Sequence, residues 1–473
     1  MLQCLNFVRN LPIVYGRYAI KLDVNNDSYT DGDMAFKSLK LAINSMLLLS
    51  SANAFALPFN SFDPRSMAMG GAGVAVGDAA SAPVLNPALL SVTRYSDDFS
   101  LVLPTVGIRV ADPDGLVNSL DKFLSGNYID SLTTSVSALN AAITAADFAA
   151  IATNATSVAT GINTLSNQLL TLNDKPVTMD GGLTAVIGIP NKKFGIAFFA
   201  NRTISSGGLF LYKDAATISA LSTQTTCLAA AAAANDVAAV ALCGIPDFNT
   251  NTLQSTITLR GVMMTEIGIS VSRELRINKH NIALGITPKV VQMQLFDIPM
   301  GLNSPNLSNF NANDYRSDFN MINFDLGLAQ NFRNGWRTGL VIKNVIPYFP
   351  GYKRATVAGG IPIETGESLR LIPQSRIGVS HTNPWSTVAL DMDLYRNNPA
   401  GLERYTQYIA LGGELNAWNF AQLRAGYRVD LVDSSRNIVS IGMGLSPFGV
   451  HTDIAIAGNE TEIGASLQLG FRF

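Results

Sequence analysis

From Phe99 onward the chain falls into segments of about ten residues in which apolar and polar side chains alternate with period two, the pattern of strands whose two faces meet different surroundings. The last segment is the plainest. Ile463, Ala465, Leu467, Leu469, Phe471 and Phe473 share one face, and Glu462, Gly464, Ser466, Gln468, Gly470 and Arg472 share the other. Segment 386–395 sets Val388, Leu390, Met392 and Leu394 against Asp391 and Asp393, and segment 319–330 sets Ile322, Phe324, Leu326 and Leu328 against Asn323, Asp325 and Gly327. Segment 450–457 sets Val450, Ile454 and Ile456 against His451, Asp453 and Ala455. Charged groups point away from the apolar face throughout. The pattern predicts fourteen strands, near 99–110, 178–189, 193–202, 256–273, 281–296, 318–330, 336–344, 369–380, 386–395, 404–416, 420–431, 437–446, 450–458 and 461–473.

The connections separate a barrel from a sandwich. Long ones at 111–177, 203–255, 297–317, 345–368 and 396–403, then the briefer 432–436 and 459–460, alternate with tight turns. The turns include Pro190-Asn191-Lys192, Asn278-Lys279-His280, Arg333-Asn334-Gly335, Asn383-Pro384, Ala417-Trp418-Asn419 and Pro447-Phe448-Gly449. An up-and-down outer-membrane barrel has short periplasmic turns and longer extracellular loops, and a Greek-key sandwich has no reason to sort its loops that way. Trp336, Trp385 and Trp418 all fall at short turns, where indole rings would form a belt at the headgroup level. Strands in lipid must close on themselves, because no water is there to satisfy edge N–H and C=O groups. The expectation is an all-β protein of the Gram-negative outer membrane, a 14-stranded antiparallel transmembrane β-barrel over 99–473. Its last strand, ending in Phe473, carries the terminal aromatic signal of bacterial outer-membrane proteins, which makes the barrel-assembly machinery a partner alongside outer-membrane lipid.

Upstream of the strands, residues 34–56 read as a secretory signal: Met34, the basic Lys37 and Lys40, an apolar stretch from Leu41 to Leu49, and the small-residue site Ala54-Phe55-Ala56. Residues 1–33 have no such core and read as a mis-assigned upstream extension, which puts the mature N-terminus at Leu57. Residues 57–98 lack strand alternation and are rich in small residues that permit close backbone approach, as suits a plug folded inside a lumen. Its candidate gate residues are Arg65, Gly70, Gly71, Gly73, Asp78, Asn86 and Pro87. Arg65 and Asp78 are candidates for pairing with the mixed charges predicted on the lumen face: Arg260, Glu266, Lys289, Asp325, Lys343, Asp391, Asp393, Glu414, Arg424, Arg428, Asp430, Asp453, Glu462 and Arg472.

The run from Phe62 to Ala75 (Phe-Asp-Pro-Arg-Ser-Met-Ala-Met-Gly-Gly-Ala-Gly-Val-Ala), the step Gly77-Asp78-Ala79-Ala80-Ser81 and the box Asn86-Pro87-Ala88-Leu89 resemble the N-terminal hatch of the FadL-type long-chain fatty-acid transporters of bacterial outer membranes. Within that superfamily the opening run is most similar to the branch labelled conjugal transfer protein TraF-like. The resemblance implies a fourteen-strand barrel with both termini in the periplasm and helical extracellular loops. It carries no ligand residue over, since the strand kinks and loops that hold fatty acid in the family have no matched positions here.

The first long loop holds Val117–Leu124 and an Ala-rich stretch from Val136 to Leu172, read as one or two amphipathic helices outside the barrel. Two roles stay open for it: a packed lid, or an apolar capture groove using Leu139, Ile143, Phe148, Ile151 and Leu165, which the FadL-type resemblance favours. Cys227 and Cys243 bracket a second Ala-rich stretch. A single helix would hold them about 24 Å apart, so a disulfide requires a turn at Asn235-Asp236; two unpaired thiols are the alternative.

Composition narrows the function. With 14% charged and 47% hydrophobic residues, 33 Lys+Arg against 35 Asp+Glu, the chain has neither the solvating surface usual for a soluble protein nor the basic patch of a nucleic-acid binder. No apolar run is long enough for a membrane helix. There is no G-x-S-x-G or H-E-x-x-H, and His280, His381 and His451 are scattered, so no enzyme, cofactor or metal is expected. An esterase reading survives only through His381, close to Ser380 and Ser386. The leading expectation is a channel for passive uptake of hydrophobic or amphipathic small molecules such as long-chain fatty acids. The rival is a structural component of a conjugal transfer or secretion apparatus, its long loops docking an envelope protein.

Overall fold

Fourteen strands close into one antiparallel barrel in which every strand is bonded to its neighbours in the chain and the first meets the last. The computed structural model describes residues 57–59, 62–92, 99–277, 280–301, 315–352, 355–356, 362–363, 368–400, 402, 404–417 and 420–472. The upstream extension and signal read at 1–56 lie outside the described residues, as do Trp418 and Phe473. The strands are β1 Ser100–Ala111, β2 Pro176–Ile189, β3 Gly195–Leu211, β4 Thr256–Ile277, β5 His280–Gly301, β6 Arg316–Asn331, β7 Trp336–Lys343, β10 Gln374–Thr382, β11 Ser386–Asp393, β12 Tyr408–Ala417, β13 Ala421–Asp430, β14 Ile438–Leu445, β15 Val450–Gly458 and β16 Glu462–Arg472. A short hairpin that the alternation did not reveal, β8 Ala355–Thr356 with β9 Pro362–Ile363, sits in the β7–β10 loop. The seam pairs Ser100 with Arg472 and Ala111 with Glu462, so no edge is left open.

The period-two pattern has its physical cause in this closure. On β16, Ile463 is 65% exposed and Leu467 50%, whereas Ser466 and Gln468 on either side of Leu467 are only 4% and 6% exposed. Apolar side chains thus face outward to lipid while polar and small ones are enclosed. The short turns carry exposed Phe194, Phe332, Trp336, Trp385, Phe420 and Phe448, a fuller aromatic belt than the tryptophans alone suggested. Among the described residues no helix is long and apolar enough to cross a membrane. A barrel with this apolar outer band resides in the Gram-negative outer membrane, its short turns on the periplasmic side.

β3, β4 and β5 run to 17, 22 and 22 residues and meet a layer of helices, β3 and β5 passing their predicted extracellular ends and β4 its predicted periplasmic end. The β1–β2 loop supplies Leu116–Ser125, Tyr128–Thr144 and Phe148–Leu172, and the β3–β4 loop supplies Ala215–Ala233 and Val237–Cys243. Their apolar faces share one core, including Leu132, Leu165, Leu169 and Leu228, with Phe210 of β3. Asn235, at φ 52°, reverses the chain between the last two helices and brings Cys227 and Cys243 to a Cα separation of 5.7 Å, where they are disulfide-bonded.

Candidate functional site: the plugged lumen

Residues 62–92 lie inside the barrel as a string of short turns and helical pieces, Pro64–Ala68, Ala82–Leu85 and Pro87–Ser91. Asp63 starts the first, accepting the Ser66 N–H, and Asn86 starts the third, accepting that of Ala88. With no sheet ladder of its own, the segment must find partners for its buried backbone groups on the wall. Asp391 on β11 accepts the N–H groups of Gly73 (2.7 Å) and Val74 (2.8 Å). Ser440 on β14 accepts from Gly70 and donates to the Ala68 carbonyl. Arg376 and Ser380 on β10 donate to the carbonyls of Gly71 and Ala75. Asn86 donates to the carbonyls of Val74 and Leu328, tying the plug to itself and to β6.

Two ion pairs complete the seat. Arg65 grips Glu414 with both Nε (2.8 Å) and Nη2 (2.9 Å), and its Nη1 donates to the Val76 carbonyl. Asp78 meets Arg472 at 2.5 Å. Burial pushes the Asp78 carboxyl up, but the guanidiniums of Arg472 and Arg65 outweigh it and hold the group well below the usual carboxylate range. Gly70 and Gly71 take φ of 72° and 98°, a conformation that side chains disfavour, and this turn is where the plug presses on Gly426. Pro87 packs against the lumen-facing Gly285 and Gly327.

Most of the remaining lumen charges pair with one another, while Lys343 lies over the Phe59 ring and Asp430 accepts the N–H groups of Gln407 and Val432. Lys289 bonds Glu266 (2.6 Å) and Asp325 (2.8 Å), Arg260 bonds Asp297, Arg376 bonds Asp393, and Arg109 bridges Asp180 and Glu462, the latter shared with Arg428. Arg424 joins Glu414 to Asp453. Arg109, Asp180, Asp297 and Arg376 were missed in the sequence, although each falls on the lumen parity of its strand. His451 lies between Ser446 and Asp453 at the periplasmic mouth, with Asp453 also neutralised by Arg424. His381 instead packs at a tilt against the Trp336 ring, away from any such line.

Asp63 differs from these groups. Burial pushes its carboxyl up to about 7, helped by the charge of Asp78 and opposed by the Ser66 N–H. A carboxyl raised in the folded state from an ordinary 3.8 favours folding while protonated. The Asp63 contribution to plug seating is therefore expected to be complete below about pH 4 and to be lost as pH rises to about 7, with no further change above, whereas Asp78, held low by its arginines, contributes above that lower limit and loses it on acidification. Asp63→Asn keeps the helix-start acceptor, and hydrogen exchange of residues 62–76 across this window should lose its pH slope in that variant.

Above the plug the wall changes character. On β5 the lumen parity that carries Thr287 and Lys289 continues as Val291, Met293 and Leu295, all fully buried, while the outward parity passes from Val290 to Gln292. β6 does the same: Asn323 and Asp325 give way inside to Phe319 and Met321, and outside Ile322 gives way to Asn320 and Asp318. The outward polar residues Thr265, Gln292 and Asn320 are cross-strand partners, so the outer face turns polar at one height. Above it β5 and β6 are polar outside and apolar inside, while Asn201, Thr203 and Ser205 of β3 and Arg260 of β4 keep part of the inner face polar. Leu57, Tyr348, Tyr352, Leu369 and Leu371 pack onto this apolar wall as one buried core. Beside it Phe59 lies between Lys343 (4.3 Å) and Arg376 (4.4 Å).

Cavities flanking the upper side of the plug hold about 60 and 50 Å³, and a polar vestibule below it, lined by Arg65, Asp78, Glu414, Arg472 and His451, holds about 450 Å³. Of the residues read as capture positions, Leu139, Ile151 and Leu165 are fully buried in the helical layer, and Ile143 and Phe148 pack partly buried against it. A solute reaching them has to part the helices.

These features define an outer-membrane β-barrel stoppered by its own N-terminal segment. The chain belongs to the family described as F plasmid transfer operon, TraF, protein, whose model matches residues 83–393. Similar solved structures include the P. putida toluene transporter TodX, at 14% identity over 88% of this chain and 99% of that one, with a TM-score of 0.46. The Ralstonia pickettii toluene transporter TbuX gives 12% identity over 89% and 99%, with a TM-score of 0.44, and a Pseudomonas aeruginosa FadL homologue gives 12% over 89% and 99%, with a TM-score of 0.46. No curated protein sequence matches the chain.

Proposed function

We propose that the protein is a channel for passive entry of hydrophobic or amphipathic small molecules, with the plug as its gate. The apolar core that lines and fills the upper lumen supports this reading. A barrel conducting water and ions has a polar interior, whereas Val262, Val291, Met293 and Leu295 form an apolar wall where the outside is already polar. Met264, Met293 and Met321 supply adaptable surface for solutes of varied shape. A molecule with an apolar body would enter under the Tyr348–Leu371 cover and descend to the charged layer of Lys343 and Arg376, where an acidic end group finds cations. Uptake of radiolabelled long-chain fatty acid and of an aromatic hydrocarbon by expressing cells tests this. Met293→Asp, which puts a carboxylate into this core, is expected to lower uptake by about tenfold or more while the barrel stays heat-modifiable on gels. Unchanged uptake in that variant refutes the channel reading.

The second reading, a docking component of a transfer apparatus, draws on the family description and on Val237, Leu242 and Ile245, exposed at the disulfide-bonded hairpin. It requires that uptake match vector-only cells and that crosslinks from the hairpin recover an envelope protein.

A further inference from the structure

The lipid-facing wall is not evenly filled. Across β1 to β6 it carries a groove of about 720 Å³, whose outer rim includes Leu103, Ile187, Phe198, Ile269 and Val290. Two prolines shape it. Pro104 lies where the pairing of β1 shifts register against both β2 and β16, and Pro288 lies where the β4–β5 pairing skips from Gly268↔Lys289 to Val271↔Ile286. Between the two defects the outward positions of β2 and β3 are Ala185 and Ala200, bare methyl groups among large neighbours. Lys289 is the single charged residue of the lining, and its Nζ turns inward to Glu266 and Asp325. The groove surface is accordingly hydrocarbon.

Its height is fixed by the strands. Ile187 stands two residues before the end of β2 and Phe198 three after the start of β3, which puts this end of the groove about 7–10 Å from the turn between those strands. That end lies in the periplasmic half of a hydrocarbon layer about 30 Å thick, and the groove runs obliquely from it to Ile267, Val290 and Ile322 near the outer edge. Directly below, the turn between β2 and β3 carries Lys192 and Lys193. Arg273 continues the outward face of Ile269 and Val271 on β4, next to the Ser272↔Gly195 pair, and Glu274 N–H donates to the Lys192 carbonyl. Lys193 and Arg273 are exposed, and Glu274 alternates to the opposite face. Ile269 to Arg273 spans about 13 Å of strand, the reach from the upper part of an acyl chain to its phosphate.

We propose that this groove holds an acyl chain of one glycerophospholipid of the periplasmic leaflet, with its phosphate on Lys193 and Arg273. The occupant seals the wall at the two proline defects and is distinct from any solute in the lumen. The site depends on the membrane orientation and not on the uptake reading.

The test is native mass spectrometry of the full barrel after reconstitution into phosphatidylethanolamine vesicles, with or without phosphatidylglycerol, and re-extraction with excess detergent. Wild type is expected to retain one phospholipid, preferring the anionic one. Ala200→Phe, which fills the groove from the lipid side, should abolish retention. Lys193→Gln with Arg273→Gln should lower it by about tenfold and erase the headgroup preference. Heat-modifiability on gels confirms that each variant is a folded barrel. Equal retention in wild type and Ala200→Phe overturns the proposal. So does recovery of hydrocarbon solute rather than phospholipid from cells grown with both.

Discussion

Gly426→Val is expected to unseat the plug and turn a closed barrel into a conducting one. A Cβ at this position would overlap the Gly70 nitrogen and the Met69 carbonyl carbon, and neither can retreat. Gly70 is held by Ser440, and both Gly70 and Gly71 already sit at positive φ. Overpacking in a core commonly costs about 1–3 kcal/mol, and here the obstacle is backbone, so the cost falls at or above the top of that range. The plug has the most to lose, because its own backbone bonds end on wall side chains, whereas the strands remain paired on both sides. Planar-bilayer recordings should show steady ionic current from Gly426→Val where wild type shows little. Gly413→Val, whose added carbon meets nothing within 4 Å, is the matched control and should stay closed. Equal currents in wild type and Gly426→Val would show that residues 62–92 do not obstruct the pore.

Arg65→Ala should be the most damaging side-chain truncation in the plug. It removes a two-pronged grip on Glu414, whose side chain is only 5% exposed, and frees the Val76 carbonyl at the same stroke. Breaking a buried ion pair by deleting one partner costs about 3–5 kcal/mol. Glu414 keeps Arg424, which puts this case at the lower end, roughly 3 kcal/mol of plug seating. The loss should appear as faster amide exchange over residues 64–76, with the thermal midpoint of the barrel little changed. Arg65→Met combined with Glu414→Met should recover much of the protection, since a well-packed apolar pair avoids the uncompensated charge. Failure of the double variant to improve on Arg65→Ala would mean that Arg65 acts through the Val76 carbonyl rather than through Glu414.

The wall was legible in the sequence wherever one face of a strand meets lipid and the other the lumen. β11 and β16 alternate without interruption, and the lumen places of Asp391, Asp393 and Glu462 follow from parity alone. The upper wall was not, for a physical reason. The rule that apolar means outward holds only inside the bilayer, and Val291, Met293 and Leu295 obey its reverse because the outside of β5 is there in water. The extracellular ends of β3 and β5 read short for the same cause. The plug could be recognised from its small residues, and Arg65 and Asp78 stood out as charges in an apolar run. Their partners could not be named, because Glu414 and Arg472 are more than 300 positions away and any lumen charge of opposite sign would have served. The β8–β9 hairpin is too short to show a period.

The clasp between Asp78 and Arg472, together with the bond from Ser466 to the Phe62 carbonyl, fastens the beginning of the folded chain with its final strand. Since β16 also supplies the seam to β1, those two fastenings come into being only when insertion finishes. A ring lacking that strand would still offer Asp391, Glu414 and Ser440 to the plug but leave Phe62 and Asp78 untied. The stopper is fully fastened only when the ring is whole.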